Sequence, residues 1–255
     1  MNVLDNLTRP ARVFFRDDDA GWADDQLFRL MEMFSTHSMP MDLAVIPMEL
    51  NEPLADRLAN HWDQASHLLG MHQHGFIHKN HETTGRKCEF GPSRSAKSQL
   101  SDLDAGKKRL ADFLEDRVDP IFTPPWNRCA APTVDGLKNL HFLALSRDQT
   151  AVPLGLHGLE EIPVHIDWFR KIKGERISLE QLGQSIADTI QINRGPVGIM
   201  LHHAPMESED FHALEELLKL MVKKDKISPC LMRDVITGFR KTQAPLLKKK
   251  ANPSD

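Results

Sequence analysis

The chemistry-bearing residues of this 255-residue chain fall in a few short clusters. It holds 13 histidines, and His61, His67, His72, His74, His78 and His81 crowd into one stretch of 21 positions, 61–81. Histidine is the commonest metal ligand and titrates near neutrality, so the cluster reads as a candidate site. Its centre is His72-x-His74-Gly75-x-x-His78. The four-residue step from His74 to His78 is one at which two imidazoles on a helical turn face a common point. Three carboxylates stand together at Asp17, Asp18 and Asp19, and two further clusters follow at His165-x-Asp167-Trp168 and His202-His203. One carboxylate added to two imidazoles leaves open positions on a bound metal, which a catalytic site requires. Alone, an aspartate run is ordinarily a solvated turn and a histidine pair ordinarily a loop coincidence. The functional argument therefore needs these residues to converge.

The predicted elements supply that convergence. Strands are expected at 12–16, 41–47, 66–74, 119–126, 141–148, 161–169, 197–202 and 227–231, from β-rich apolar runs closed by turn residues. Apolar spacing predicts helices over 24–37, 53–65, 96–116, 133–140, 178–192, 207–224 and 231–241. Strands and helices alternate without a repeat or a low-complexity linker, which implies parallel strands with crossover helices, in an open sheet or a closed barrel. In such folds the carboxyl ends of the strands share one face, where active sites sit. The four polar clusters all fall at predicted strand ends. A nucleotide cradle would want G-x-G-x-x-G after the first strand, where three aspartates stand instead. Residues 79–94 are polar and form a long loop, a length typical of substrate lids.

Composition narrows the class further. The formal net charge is −4, without a basic stripe, so nucleic acid is not expected as a partner. No apolar run approaches the roughly 20 residues of a membrane span. The start carries no basic-then-apolar leader, so a cytoplasmic location is expected. Three cysteines without a C-x-x-C pair argue against a disulfide framework and a cysteine-rich zinc site. One domain is expected over 1–242, followed by a disordered tail over 243–255. His72 shares a strand face with His74 and suits either a donor behind the site or a core position. His81 and His165 are weaker candidates for lining a pocket, and His61, His67 and His141 read as surface or packing residues.

These motifs resemble, in order, those of the polysaccharide deacetylases (carbohydrate esterase family 4, the NodB-homology fold). "FRDDDAG" at 15–21 is similar to the first motif, T-F-D-D-G, and "HGFIH" at 74–78 to the second, H-S/T-x-x-H. "TPPWN" at 123–127 falls where R-x-P-x-G/W belongs, "DW" at 167–168 resembles the fourth motif, and "IMLHH" at 199–203 the fifth, L-x-H. The resemblance implies a distorted (β/α)7-type α/β barrel in a single domain. It implies a metal site of Asp19, His74 and His78, with Asp18 as catalytic base, His202 as general acid and Asp167 beside it. Pro125, Trp126 and Trp168 would wall the substrate groove. Three departures mark a divergent member: Thr123 replaces the arginine that steadies the base, Gly75 replaces a hydroxyl residue, and His203 follows the fifth-motif histidine. Arg16, Arg128 and Arg147 are candidates to replace the missing arginine.

What the resemblance implies is metal-dependent removal of an N-acetyl, amide-linked acyl group from a carbohydrate, such as a cell-surface polysaccharide precursor. The expected cofactor is one divalent ion, zinc foremost, with cobalt, iron, manganese or nickel as alternatives. Two other readings remain open from the residues: an amidohydrolase on a small non-sugar amide, and a catalytically silent carbohydrate-binding relative.

Overall fold

A computed structural model describes residues 7, 9–156 and 158–236. The tail 243–255 and the end of the predicted helix 231–241 lie outside the described residues. The elements in order are β1 (Ala11–Ala20), α1 (Asp24–Thr36), β2 (Met41–Val45), α2 (Glu52–Ala65), β3 (Leu69–His74), α3 (Ala96–Leu114), β4 (Asp119–Thr123) and α4 (Ala131–Asn139). There follow β5 (Ala144–Leu145), β6 (Glu160–Glu161), β7 (Val164–Asp167), β8 (Lys171–Ile172), β9 (Glu175–Arg176), α5 (Leu179–Ile192), β10 (Val197–His202), α6 (Ser208–Val222) and β11 (Ile227–Pro229). Local chemistry fixes the helix ends. The Asn51 side chain accepts from Leu54 N–H at the start of α2, and Ser178 and Gln181 cap α5 reciprocally.

The main sheet runs β6-β5-β4-β3-β2-β1-β10-β7, with every pair parallel, and β11 pairs with the first residues of β1. The predicted strand 161–169 is two pieces, β6 and β7, separated at Ile162-Pro163. Proline has no N–H for the ladder, so regular pairing breaks there. The backbone still runs on: Ile162 N–H donates to Leu145 O, Val164 N–H to Arg147 O, and β7 pairs with β10. The sheet thus curls back on itself with β6 and β7 acting as one staved element, a distorted seven-stave barrel of the (β/α)7 kind. The predicted strand 141–148 contracts to β5, and 119–126 ends at Thr123 before Pro124 and Pro125. The short antiparallel β8–β9 hairpin has no counterpart in the sequence-based reading.

Alternation along β1 separates two environments. Val13 and Phe15 join the large core under α1, α2, α5 and α6. Phe14 joins an inner cluster with Ile121, Ala144, Val164, Met200, Met232, Val235 and Ile236. The C-terminal segment therefore fills the lower end of the barrel. Above Phe14, the same inner face of β1 carries Arg16 and Asp18. No helix among the described residues is long and apolar enough to cross a membrane.

Candidate active site

Strict alternation would put Asp17 and Asp19 on one side of β1 and Asp18 on the other. The register between β1 and β2 shifts between Asp17 and Ala20, and Asp19 adopts a positive φ of 70°. This irregularity releases Asp19 from the alternation. Its Oδ1 lies 3.1 Å from Nε2 of both His74 and His78, and its Oδ2 4.0 Å from His202 Nε2. Each of the three aspartates has a separate environment.

Asp18 is held by Arg16 on the same inner face. The guanidinium Nε and Nη2 reach Asp18 Oδ1 and Oδ2 at 2.8 and 2.9 Å, a bidentate pair with both residues buried. Arg16 in turn donates to Ser146 Oγ at 2.8 Å and Asn127 Oδ1 at 2.7 Å. Burial alone would raise the Asp18 carboxyl. Arg16, aided by His74 and His202, outweighs it and holds Asp18 below the usual carboxylate range. The arginine missing from 123 is thus supplied from β1. Arg147 pairs instead with Glu161, and Arg128 donates to Lys87 O.

Asp17 faces the outer side, where His203 Nδ1 donates to its Oδ2 at 2.6 Å and His203 N–H to its Oδ1 at 3.0 Å. His203 Nε2 reaches Trp22 O at 2.6 Å. Burial opposes protonation of His203, but Asp17 and the Trp22 carbonyl push its pKa up to about 9. The ring is a cation that fastens the ends of β1 and β10 behind the site.

His74 and His78 converge, though not on a helical turn. Residues 75–78 form a bend in which Gly75 (φ 57°) and His78 (φ 52°) are left-handed. A Cβ at Gly75 would stand 2.1 Å from Glu89 Oε2 and 2.6 Å from the Pro125 ring, so the hydroxyl residue of the resembling motif has no room here. Buried Glu89 accepts from Phe76 N–H and Ile77 N–H and ties the bend down. Trp126 and Asn127 also have positive φ, 56° and 57°. Of the nine non-glycine residues with positive φ among the described residues, Asp19, His78, Trp126 and Asn127 gather here, as strained backbone does at functional sites.

His74 Nδ1 donates to Thr123 O at 3.0 Å, which orients Nε2 toward Asp19. His72 is wholly buried behind it, with Nε2 2.8 Å from Thr123 Oγ1, and desolvation pushes its pKa down to about 3. It is a neutral support. The donor atoms of Asp19, His74 and His78 all lie within 4.8 Å of one another. An oxygen and two imidazole nitrogens, one with its second nitrogen on a carbonyl, fit a divalent ion.

Other expected residues are placed less centrally. Asp167 Oδ1 accepts from Phe169 N–H at 2.9 Å, and among the described residues Asp167 makes no hydrogen bond to His202. Trp168 does not wall the groove: it is 2% exposed, packs in the large core and donates its indole N–H to Asp210. It directly follows β7, where its N–H still donates to Met200 O and its ring shares the core with Ile166. Pro125 is buried against Gly75, whereas Trp126 lies 4.6 Å, ring to ring, from His78. Trp22, which the motifs do not mark, sets its ring edge-on to His78 at 4.8 Å. His165 accepts from Gly198 N–H and belongs to packing, and His61 stacks on Phe28. Within the long loop 79–94, Cys88, Glu89 and Phe90 are buried, so its second half is a strut rather than a lid.

No family model matches the sequence, and no curated protein matches it. Solved structures do. A Mycobacterium smegmatis protein assigned provisionally as a polysaccharide deacetylase is similar at a TM-score of 0.71 and 15% identity, over 92% of each chain. A family 4 acetyl xylan esterase from Clostridium thermocellum, in complex with cobalt, is similar at 0.59 and 12% identity, over 89% of this chain and 90% of that one. The PuuE allantoinase is similar at 0.67 and 11% identity, over 91% of this chain and 90% of that one. At such identities the likeness fixes the fold: this chain has the distorted barrel of the polysaccharide deacetylases, as its motif order suggests.

Proposed function

We propose that the protein is a metal-dependent hydrolase that removes an N-acetyl group from a carbohydrate. The observation that carries this reading is the convergence of Asp18, Asp19, His74, His78 and His202 at one end of the barrel, with Asp18 clamped by Arg16. Asp19, His74 and His78 would hold the ion, most simply zinc given the imidazole donors, with cobalt, iron, manganese and nickel as alternatives. Such an ion, when bound, supplies Lewis acidity, polarising a carbonyl and lowering the pKa of water toward about 7. The chain's own residues handle the protons. Asp18, kept ionised by Arg16, accepts a proton from the attacking water. His202, at the site's exposed edge, delivers a proton to the departing amine nitrogen as the C–N bond breaks. Trp22 and Trp126 flank His78 and offer flat apolar walls for a ring. The cobalt in the acetyl xylan esterase supports a divalent ion here, and the likeness to an allantoinase supports the second reading, a non-sugar amide.

Elemental analysis of the purified protein, alongside acetate release from N-acetylglucosamine oligomers, tests the assignment. Asp19→Ala is expected to lose the bound metal. His202→Ala is expected to keep it while turnover falls by about 10²–10⁴-fold, the usual worth of a general acid. Both variants remaining metallated and fully active would refute the assignment.

A further inference from the structure

The loop that rims Trp126 is cationic, although the chain as a whole carries a net charge of −4. Lys79, Arg86 and Lys87 are exposed on it, and Arg128 stands half-exposed beside it. Lys87 Nζ lies 5.9 Å from the centre of the Trp126 ring, the same ring that packs on His78. Arg128 Nη1 donates to Lys87 O at 3.1 Å, and Ala130 N–H donates to Phe90 O at 2.8 Å. The rim is therefore fastened to the Trp126 segment and not a free arm.

No acid on this loop balances these charges. The one carboxylate in 79–87, Glu82, is turned onto Ser93, whose N–H and Oγ it engages at 3.2 and 2.5 Å. Among the described residues, none of Lys79, Arg86, Lys87 and Arg128 forms an ion pair. Asp148 is the acid that acts on Arg128, and its Oδ1 already accepts from Thr150 N–H and Oγ1. Burial, then the neighbouring charge of Arg86, press the Arg128 guanidinium below its usual range. Cations without acid partners beside Trp126 would be neutralised by a bound anion. Two guanidinium forks beside one ammonium suit phosphoryl oxygens, which take several charge-assisted hydrogen bonds at once.

Resting on the deacetylase reading for the acylamino half of the ligand, we propose that Arg86, Lys87 and Arg128 select a phosphorylated acylamino sugar. Its sugar ring lies on Trp126 with the acetamide toward Asp19 and His202, and its phosphate lies on the cationic rim.

Calorimetric titration of the metal-loaded protein at low salt tests this, with N-acetylglucosamine, N-acetylglucosamine 1-phosphate and UDP-N-acetylglucosamine as probes. Both phosphorylated sugars are expected to bind at least about tenfold more tightly than the neutral sugar, the worth of a charged hydrogen bond. The preference is expected to shrink as salt rises. In Arg86→Ala/Lys87→Ala, two exposed positions, the affinity ratio falls toward one. A further gain for the diphosphate over the monophosphate assigns a sugar nucleotide, and none assigns a sugar phosphate. Equal affinity for all three probes, failure of the phosphorylated probes to bind, or a preference that the double variant leaves intact overturns the proposal. The last result would place the phosphate on the metal. Acetate release is measured separately, so absent hydrolysis with intact selectivity refutes the deacetylase reading and not the rim.

Discussion

The two ends of one barrel bury carboxylates in opposite ways. At the carboxyl ends of the strands, Asp18 meets a bidentate guanidinium, and Asp19 meets His74 and His78; both carboxyls lie below the ordinary range despite burial. At the other end, Asp42 near the start of β2 and Asp119 at the start of β4 face one another, with Arg233 reaching Asp119 Oδ2 at 3.0 Å. There burial, then the mutual repulsion of the two acids, raises Asp42 well above its usual value, and Asp119 is raised as well. Asp42 accepts from Met232 N–H, and Arg233 also reaches Ser66 O and Leu69 O, so this cluster latches the C-terminal segment under the barrel. Asp18, the proposed base, is given a full countercharge, whereas Asp42, which holds Met232 N–H, is left to neutralise itself.

Removing the arginine at each end sharpens that contrast. Arg16→Met strands Asp18 without its partner in a dry interior, an expected loss of about 3–5 kcal/mol in denaturant unfolding. Under the proposed role of Asp18 as base, acetate release is expected to be lost with it. Arg233→Met is expected to cost less, about 1–3 kcal/mol. Arg233 is partly solvated, and Asp119 can take up a proton once its partner is gone. Equal losses at the two ends would mean that Asp18 also neutralises readily, and would weaken its role as base.

Much of this organisation is legible in the sequence, for a physical reason. A parallel barrel puts strand ends on one face, so polar residues that close apolar runs mark the site: Asp18, Asp19, His74, His78 and His202 could be picked out by that rule together with the motif order. What stays hidden depends on backbone irregularity and on partners far away in sequence. Nothing in "RDDD" shows that Asp19 leaves the strand alternation, or that Arg16 rather than Arg128 or Arg147 serves Asp18. Trp168 is expected in the groove because "DW" resembles the fourth motif, but packing beside Ile166 and the Asp210 acceptor draw it into the core. Trp22 carries no signal beyond its place after the aspartates, and Asn127 and Ser146 matter only through Arg16. The Asp42–Asp119–Arg233 latch joins residues 77 and 114 positions apart, with no local pattern to announce it.

The change that tests the lower end most directly, nil near pH 3 and growing only as pH rises, comes from Asp42→Asn. Asn keeps an oxygen for Met232 N–H and nearly the same shape. That matters because a Cβ at Gly70 would stand only 2.1 Å from Asp42 Oδ1, leaving no space for a larger group. Among the described residues Oδ1 has no hydrogen-bond partner, so an amide nitrogen there forfeits nothing that a protonated carboxyl enjoys. The sign follows from proton counting. In the unfolded chain Asp42 ionises near pH 4, while in the folded chain it stays protonated to higher pH. Between those values the native state binds more protons, so wild-type stability falls as pH rises, by up to about 1.4 kcal/mol per unit. The variant lacks that proton and that slope, apart from the share carried by Asp119. Asp42→Asn is therefore expected to match the wild type near pH 3 and to exceed it in stability at pH 8, as read from urea midpoints across that range. A variant less stable at pH 8, or a slope unchanged from wild type, would show that Asp42 is ionised after all and that the lower end holds its acids much as the active site does.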